Sequence, residues 1–213
     1  MGAEIPKQFL RLNGTPILAI TLRRFLDALP DCRVTVVLPA GEIPRWKAIC
    51  TEEGLEGTHM VCAGGDTRFA SVLNGLDPVG DCDYIAVHDG VRPLVSPDMI
   101  RRCISTAATY GTAIPAVRPV DSFRRLTEND GDSHPIDREC LRAVQTPQVF
   151  RTDLLLNAYG QPYRHEFTDD ASVVEAYGTR ITLCEGERSN IKITTSEDLC
   201  IAEALLARSE CQR

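Results

Sequence analysis

A chain of 213 residues with 43% hydrophobic and 25% charged side chains is long enough for one substantial domain and close to average globular composition, which excludes global disorder and fibrous repeats. The formal charge of -7, from 30 acidic and 23 basic residues, argues against a general binder of polyanions and hence of nucleic acid. A local basic pocket for a small phosphate remains compatible with it.

No apolar run approaches the roughly 20 residues that span a bilayer. Met1-Gly2-Ala3-Glu4-Ile5-Pro6 lacks the basic start and long apolar stretch of a secretory signal, so the chain reads as cytoplasmic with no membrane partner. The nine cysteines (32, 50, 62, 82, 103, 140, 184, 200, 211) are spread evenly with no C-x-x-C pair. They read as buried small hydrophobes in a reducing compartment, not as a metal or redox site.

In chain order, Thr15-Pro16 predicts an N-cap with proline at the first helical position. Ile17, Leu18, Ile20, Thr21, Phe25 and Leu29 then keep one helix face largely apolar. Arg33 to Pro39 is β-branched and reads as a buried strand, with His59 to Ala63 a weaker one. Asp66 to Leu76 predicts a helix, and Tyr84 to His88 the next strand. Ser96-Pro97-Asp98 starts a helix carrying Met99, Ile100, Cys103 and Ile104, followed by a strand at Ala113 to Val117. Residues 118–144 break the rhythm with a turn-rich Glu128 to Pro135, and predict a projecting β-arm. Ser196 to Ala207 is the last helix. The alternation predicts an α/β fold with a mostly parallel twisted sheet flanked by helices, one domain over 1–213 with its arm.

Four constellations border these elements. Pro6-Lys7-Gln8 precedes an apolar run, where a lysine is ordinarily a solvated charge. Gly64-Gly65-Asp66-Thr67-Arg68-Phe69-Ala70-Ser71 follows a strand and opens a helix. Its glycines either let the backbone approach a ligand or form an ordinary turn capped by Asp66. His88-Asp89-Gly90-Val91-Arg92-Pro93 falls at the carboxyl end of a strand, where α/β sheets bind ligands. Asp89 there can bond a substrate hydroxyl, hold Mg²⁺ beside a phosphate, or simply pair with Arg92. His88 reads as a packed strand-end residue. Ser189 to Thr195 reads as a short strand with Lys192 between two isoleucines, pointing away from the core toward water or a cleft. Its compact charge suits a phosphomonoester.

Pro6-Lys7-Gln8-Phe9, Gly64-Gly65-Asp66 with Arg68 and Ser71-Val72, His88 to Pro93, Gln145-Thr146-Pro147-Gln148-Val149-Phe150, Thr168-Asp169-Asp170-Ala171-Ser172 and Asn190 to Thr194 occur in that order. Together they resemble the 2-C-methyl-D-erythritol 4-phosphate cytidylyltransferase family over essentially the whole chain. The resemblance implies a Rossmann-like nucleotidyltransferase fold and transfer of CMP from CTP to methylerythritol phosphate, in non-mevalonate isoprenoid synthesis. It implies that Lys7 contacts the CTP phosphates, that Gly65, Asp66 and Ser71 read cytosine, and that Asp89 lies near ribose, Mg²⁺ and substrate. Arg138 and Lys192 would grip the methylerythritol phosphate, with Ser122 at a family threonine position. Mg²⁺ is implied as a phosphate-bridging ion, and a homodimer as the result of arms reaching into neighbouring subunits.

The family opens with a buried strand and a Gly-rich A-A-G-x-G-x-R-M loop, and Met1 aligns with the Met that closes it. The strand, the glycines and the loop's catalytic arginine have no counterpart here, so no residue takes that arginine's role. The recorded start reads as an internal Met. The 213-residue chain by itself is expected to leave neighbouring strands without ladder bonds, to fold poorly and to transfer little. A cytidylyltransferase for ribitol 5-phosphate shares nearly all these motifs, although Ile136 to Leu141 looks more like the methylerythritol type. A degenerate nucleotide-binding relative without activity is the reading from another class.

Overall fold

The structure, a computed structural model, describes residues 5–127 and 131–210. Met1, Glu128 and Cys211, on which expectations above fall, lie outside the described residues.

Lys7–Phe9 form one 3-10 turn that sets Phe9 against Trp46, ring centroids 6.3 Å apart. The hairpin β1 (Arg11–Leu12) and β2 (Thr15–Pro16) follows, turned by Asn13-Gly14, both at positive φ. This corrects the expected start of α1 (Ile17–Ala28). Thr15 pairs with Leu12 instead of capping, Pro16 sits one residue ahead of the helix, and the Ile17 amide donates to the Leu10 carbonyl at 2.9 Å. A backbone partner replaces the side-chain cap.

Next come β3 (Thr35–Leu38), α2 (Ile43–Glu53) and β4 (Met60–Ala63), with β3 and β4 parallel. Gly54 ends α2 in the left-handed region at φ 65°, as helix ends favour. Then follow α3 (Arg68–Leu76), β5 (Tyr84–Val87) and α4 (Pro97–Tyr110). At α4 the start signal holds, because Ser96 Oγ accepts the Met99 amide at 3.0 Å and Pro97 opens the helix. After β6 (Thr112–Val117) the chain leaves the body as a hairpin, β7 (Phe123–Leu126) and β8 (Ser133–Ile136), before returning through β9 (Ala143–Val144). The last elements are β10 (Gln148–Arg151), α5 (Thr152–Tyr159), α6 (Asp170–Ala176), β11 (Leu183–Glu185) and α7 (Ser196–Glu210).

The α/β architecture stands, and the expected mostly parallel pairing gives way to a mixed sheet. Its order is β11-β6-β10-β5, with β9 also on β6. Strand β10 runs antiparallel to both neighbours, whereas β11 is parallel to β6. Helices α3, α5 and α6 cover one apolar cluster around Phe150 and Ile114, and α4 covers another around Met99 and Val149. A separate cluster joins Leu12 and Ile17 to Ile193, Ala202 and Leu206, so α7 holds the segment before it against the start of α1.

The β3–β4 pair forms a sheet of its own, and a cavity of about 810 Å³ lies between β3 and β5. All of Val34 to Leu38 and Tyr84 to His88 line it, with Leu22 and Phe25 of α1 on one side and Val72 and Leu76 of α3 on the other. The pairing pattern identifies the edges. Val34 and Leu38 carbonyls accept amides from the β4 side, so Thr35 and Val37 turn their backbone groups to the cavity. The Asp83 carbonyl accepts the Thr152 amide beside β10, so Tyr84 and Ala86 turn theirs to it from the other wall. Arg33 reaches the Asp81 carbonyl across the lower end.

The cysteine reading needs correction in part. Cys50 and Cys103 are buried, but Cys140 and Cys200 are exposed. All described cysteines are free thiols.

Candidate active site

The site is built where β5 ends. Asp89 follows the strand, and its Oδ2 accepts from Arg92 Nε at 3.0 Å while Lys192 Nζ lies 3.2 Å away. Of the readings of Asp89, the pairing with Arg92 is what the structure shows, and Lys192 adds a second cation on the same oxygen. Its side chain is 18% exposed, against 45% for Lys192, so the lysine meets water while its counter-ion is held inside. Burial pushes the Asp89 carboxyl up, but the Arg92 hydrogen bond and the charges of Lys192 and Arg92 outweigh this and hold it below the usual aspartate value. One carboxylate against two cations leaves the group net positive, which suits an anion.

Local chemistry holds Asp89 in place through a directional chain. The Asp89 amide donates to Thr146 Oγ1 at 3.1 Å, and Thr146 Oγ1 lies 2.9 Å from His88 Nδ1. His88 Nε2 lies 3.2 Å from the Arg92 carbonyl. A carbonyl only accepts, so Nε2 carries the proton and Nδ1 accepts from Thr146. Desolvation pushes the His88 imidazole down to about 4, so it is neutral at pH 7. The reading of His88 as a packed strand-end residue is what the structure shows.

The lysine arrives from the other half of the chain. Residues 190–194 are irregular, not the expected strand, yet the alternation holds: Ile193 is buried, its amide donating to the Val91 carbonyl at 2.9 Å, and Lys192 points outward. Arg92 Nη1 donates to the Asn190 carbonyl at 2.8 Å, and Asn190 Nδ2 to the Thr146 carbonyl at 2.9 Å. Gln145 exchanges hydrogen bonds with the Glu187 backbone at 2.8 and 3.0 Å. Thr146, Gln145 and Asn190 were visible in the quoted motifs, but nothing in their spacing says that they clasp these two segments together.

The Gly64–Ser71 turn stands at the same end of the cavity. Thr67, not Asp66, caps α3, accepting the Ala70 amide at 3.0 Å, and Asp66 is exposed. A Cβ at Gly65 would lie 2.6 Å from Ala70 Cβ, and one at Gly64 2.9 Å from Ser71 Oγ. The glycines therefore serve first to seat the turn on its own helix. Ser71 Oγ accepts the Gly65 amide at 3.1 Å, so this hydroxyl acts on the turn itself.

Three further expected site residues are exposed and have no described contact with this group. Lys7 is exposed on its 3-10 turn, and Arg138 and Ser122 are exposed on the arm, where Arg138 Nη1 donates to the Val120 carbonyl at 2.8 Å. None of the three has a described contact with Asp89 or Lys192. Among the described residues no three His, Cys, Asp or Glu side chains converge as a metal cage.

A mixed α/β sheet with a cation–carboxylate group beyond β5 and a glycine turn opening a helix beside it defines a nucleotidyltransferase. Residues 1–208 match the family described as 2-C-methyl-D-erythritol 4-phosphate cytidylyltransferase. The chain belongs to that family. Enzymes of that name from Bacteroides thetaiotaomicron and Bacteroides fragilis are 47% and 45% identical over 206 residues, covering 97% of this chain and 93% of theirs. The crystal structure of the Thermus thermophilus enzyme of that name superposes with a TM-score of 0.77 at 36% identity, covering 95% of this chain and 94% of that one. The structure of 4-diphosphocytidyl-2C-methyl-D-erythritol synthase from Anaerococcus prevotii gives 0.83 at 25% identity, covering 94% and 93%. Among the described residues no helix is long and apolar enough to cross a membrane.

Proposed function

We propose that this chain transfers CMP from CTP to 2-C-methyl-D-erythritol 4-phosphate, forming 4-diphosphocytidyl-2-C-methyl-D-erythritol and releasing pyrophosphate, in the cytoplasm. The observation that carries the reading is Lys192 held at 3.2 Å from Asp89, which lines the same cavity as the glycine turn of a family member. The reaction joins two anions. The substrate phosphate attacks the α-phosphorus in line while charge grows on the equatorial oxygens and the leaving group, so positioning and cations supply the catalysis. The phosphate is already an anionic nucleophile, and a neutral His88 with both nitrogens engaged is not needed as a base.

In this reading Gly65, Asp66 and Ser71 recognise cytosine, with Ser71 acting largely by fixing Gly65. Lys7 meets the CTP phosphates. Lys192 holds the methylerythritol phosphate, and Asp89 orients it and the ribose. Asp89 would hold Mg²⁺ bound with CTP, an ion that offsets phosphate charge.

Arg138 and Ser122 join from a second subunit. The arm supports this, because Val120, Phe123 and Leu126 are 66%, 43% and 79% exposed, too much apolar surface for a hairpin meant for water alone. The whole chain then works as one domain with its arm, two of which form a homodimer with composite sites.

The test is pyrophosphate release from CTP with methylerythritol phosphate and, separately, with ribitol 5-phosphate. Turnover with the first and not the second supports the reading. Turnover with ribitol 5-phosphate alone, or with neither, contradicts it.

A further inference from the structure

The Thr168–Ser172 run has no role in the chemistry above, yet the structure ties it to the glycine turn. Arg68, the first residue of α3, follows directly on Asp66-Thr67. Its guanidinium meets both oxygens of Asp170, Nη1 to Oδ1 at 3.1 Å and Nη2 to Oδ2 closer still. Asp170 opens α6 and is fully buried, and Tyr159 Oη donates to its Oδ1 at 2.6 Å. Tyr159 also stacks on Phe69 at 4.7 Å. The carboxylate cannot drift, because Gln148 of β10 fixes its neighbours: Nε2 donates to Asp169 Oδ2 at 2.7 Å, and Oε1 accepts the Ala171 amide at 2.9 Å.

The turn is therefore pinned at two ends. On one side the Gly64 amide donates to the Leu38 carbonyl at 2.8 Å, and on the other Arg68 is anchored on Asp170. A buried carboxylate with a forked guanidinium partner fixes orientation as well as distance. Cytosine and uracil differ in which ring-edge positions donate and which accept, so telling them apart needs backbone groups placed to hydrogen-bond tolerance.

We propose that Asp170 is a positioning residue for nucleotide recognition: through Arg68 it holds the first turn of α3, and with it the Gly65–Ser71 contact, in the register that prefers cytosine over uracil. This rests on the reading that the Gly65–Ser71 turn recognises the base. Neither Asp170 nor Arg68 need touch the nucleotide for this role.

The experiment is calorimetric binding of CTP and UTP to wild type, Asp170→Asn, Tyr159→Phe and Arg68→Lys, with thermal unfolding of each. Asp170→Asn is expected to weaken CTP by about 10-fold or more and UTP much less, so that the preference for CTP shrinks. Tyr159→Phe leaves the charge pair whole and is expected to move the same ratio by about 2- to 5-fold. Arg68→Lys keeps the charge without the fork and is expected to resemble Asp170→Asn. A merely structural role would lower the unfolding temperature and leave the CTP-to-UTP ratio alone. Folded variants with the wild-type ratio overturn the inference, and if Asp170→Asn does not fold, the other two decide it. A wild-type chain that binds both nucleotides alike overturns the base reading and this inference with it.

Discussion

Lys192 Nζ sits 3.2 Å from Asp89 Oδ2 although nearly half of the chain lies between them in sequence. Two clasps bring them together: Arg92 onto the Asn190 carbonyl, and Asn190 onto the Thr146 carbonyl. The lysine keeps 45% of its side chain in water, so the pair adds little to stability and its worth lies in substrate binding. Lys192→Ala is expected to lower kcat/KM for the polyol phosphate on the order of 10²-fold, with KM for CTP within about 2-fold and the unfolding temperature nearly unchanged. Steady-state kinetics with each substrate varied in turn measures this. Equal losses toward both substrates would place Lys192 elsewhere.

His88 sets a pH signature. An unfolded histidine titrates near 6.5 and His88 near 4 in the fold, so between these values the unfolded chain binds more protons. Stability is then full above pH 6.5 and falls as pH drops toward 4, by about 3 kcal/mol in all. Asp89, held below its ordinary value, contributes only at lower pH still. Denaturant unfolding from pH 7 to 4 should show the slope, and His88→Asn should flatten it. An unchanged slope in that variant would assign the dependence to other groups.

The glycine turn is sensitive to one methyl group. Gly65→Ala places a Cβ 2.6 Å from Ala70 Cβ, against helix backbone that cannot move freely. We expect a loss of about 1–3 kcal/mol in stability and weaker CTP binding, since the Ser71 bond must break for the turn to shift. Ala at Gly41, which has open space around it, is the control.

The cavity between β3 and β5 makes a prediction that burial alone would not. Amides of Thr35, Val37, Tyr84 and Ala86 face it, whereas those of their immediate neighbours Val36, Leu38, Ile85 and Val87 lie on the paired side. Hydrogen exchange should alternate along both strands, the first set exchanging faster. Uniform protection along β3 and β5 would show that the edges are paired in solution.

Much of this was legible. Largely apolar runs at Val34 to Leu38 and Tyr84 to Val87 mark β3 and β5, and the Ser96-Pro97 signal places α4 to the residue. Strand β10 escaped because Gln148-Val149-Phe150-Arg151 is short, follows a proline and carries polar groups at both ends. Its buried Gln148 is there to hold Asp169 and Ala171, a long-range need with no local pattern. The Asn13-Gly14 hairpin lost to the cap signal of Thr15-Pro16, two local rules in competition for the same residues. Asp170 enters the sequence only as one residue of the Thr168–Ser172 motif, and only the fold reveals Arg68 and Tyr159 around it. Lys192 was placed correctly by its apolar neighbours even though no strand forms, because Ile193 alone fixes the side that faces in.

The central claim is that Lys192 of one subunit and Arg138 of its partner act on the same phosphate. Mixing Lys192→Ala with Arg138→Ala chains, each inactive at limiting methylerythritol phosphate, tests it most directly. Half of the randomly formed dimers are hybrids, and each carries one site with both cations intact, so activity should return to about a quarter of wild type. A mixture as inactive as its parents, with subunit exchange verified, would contradict the composite site.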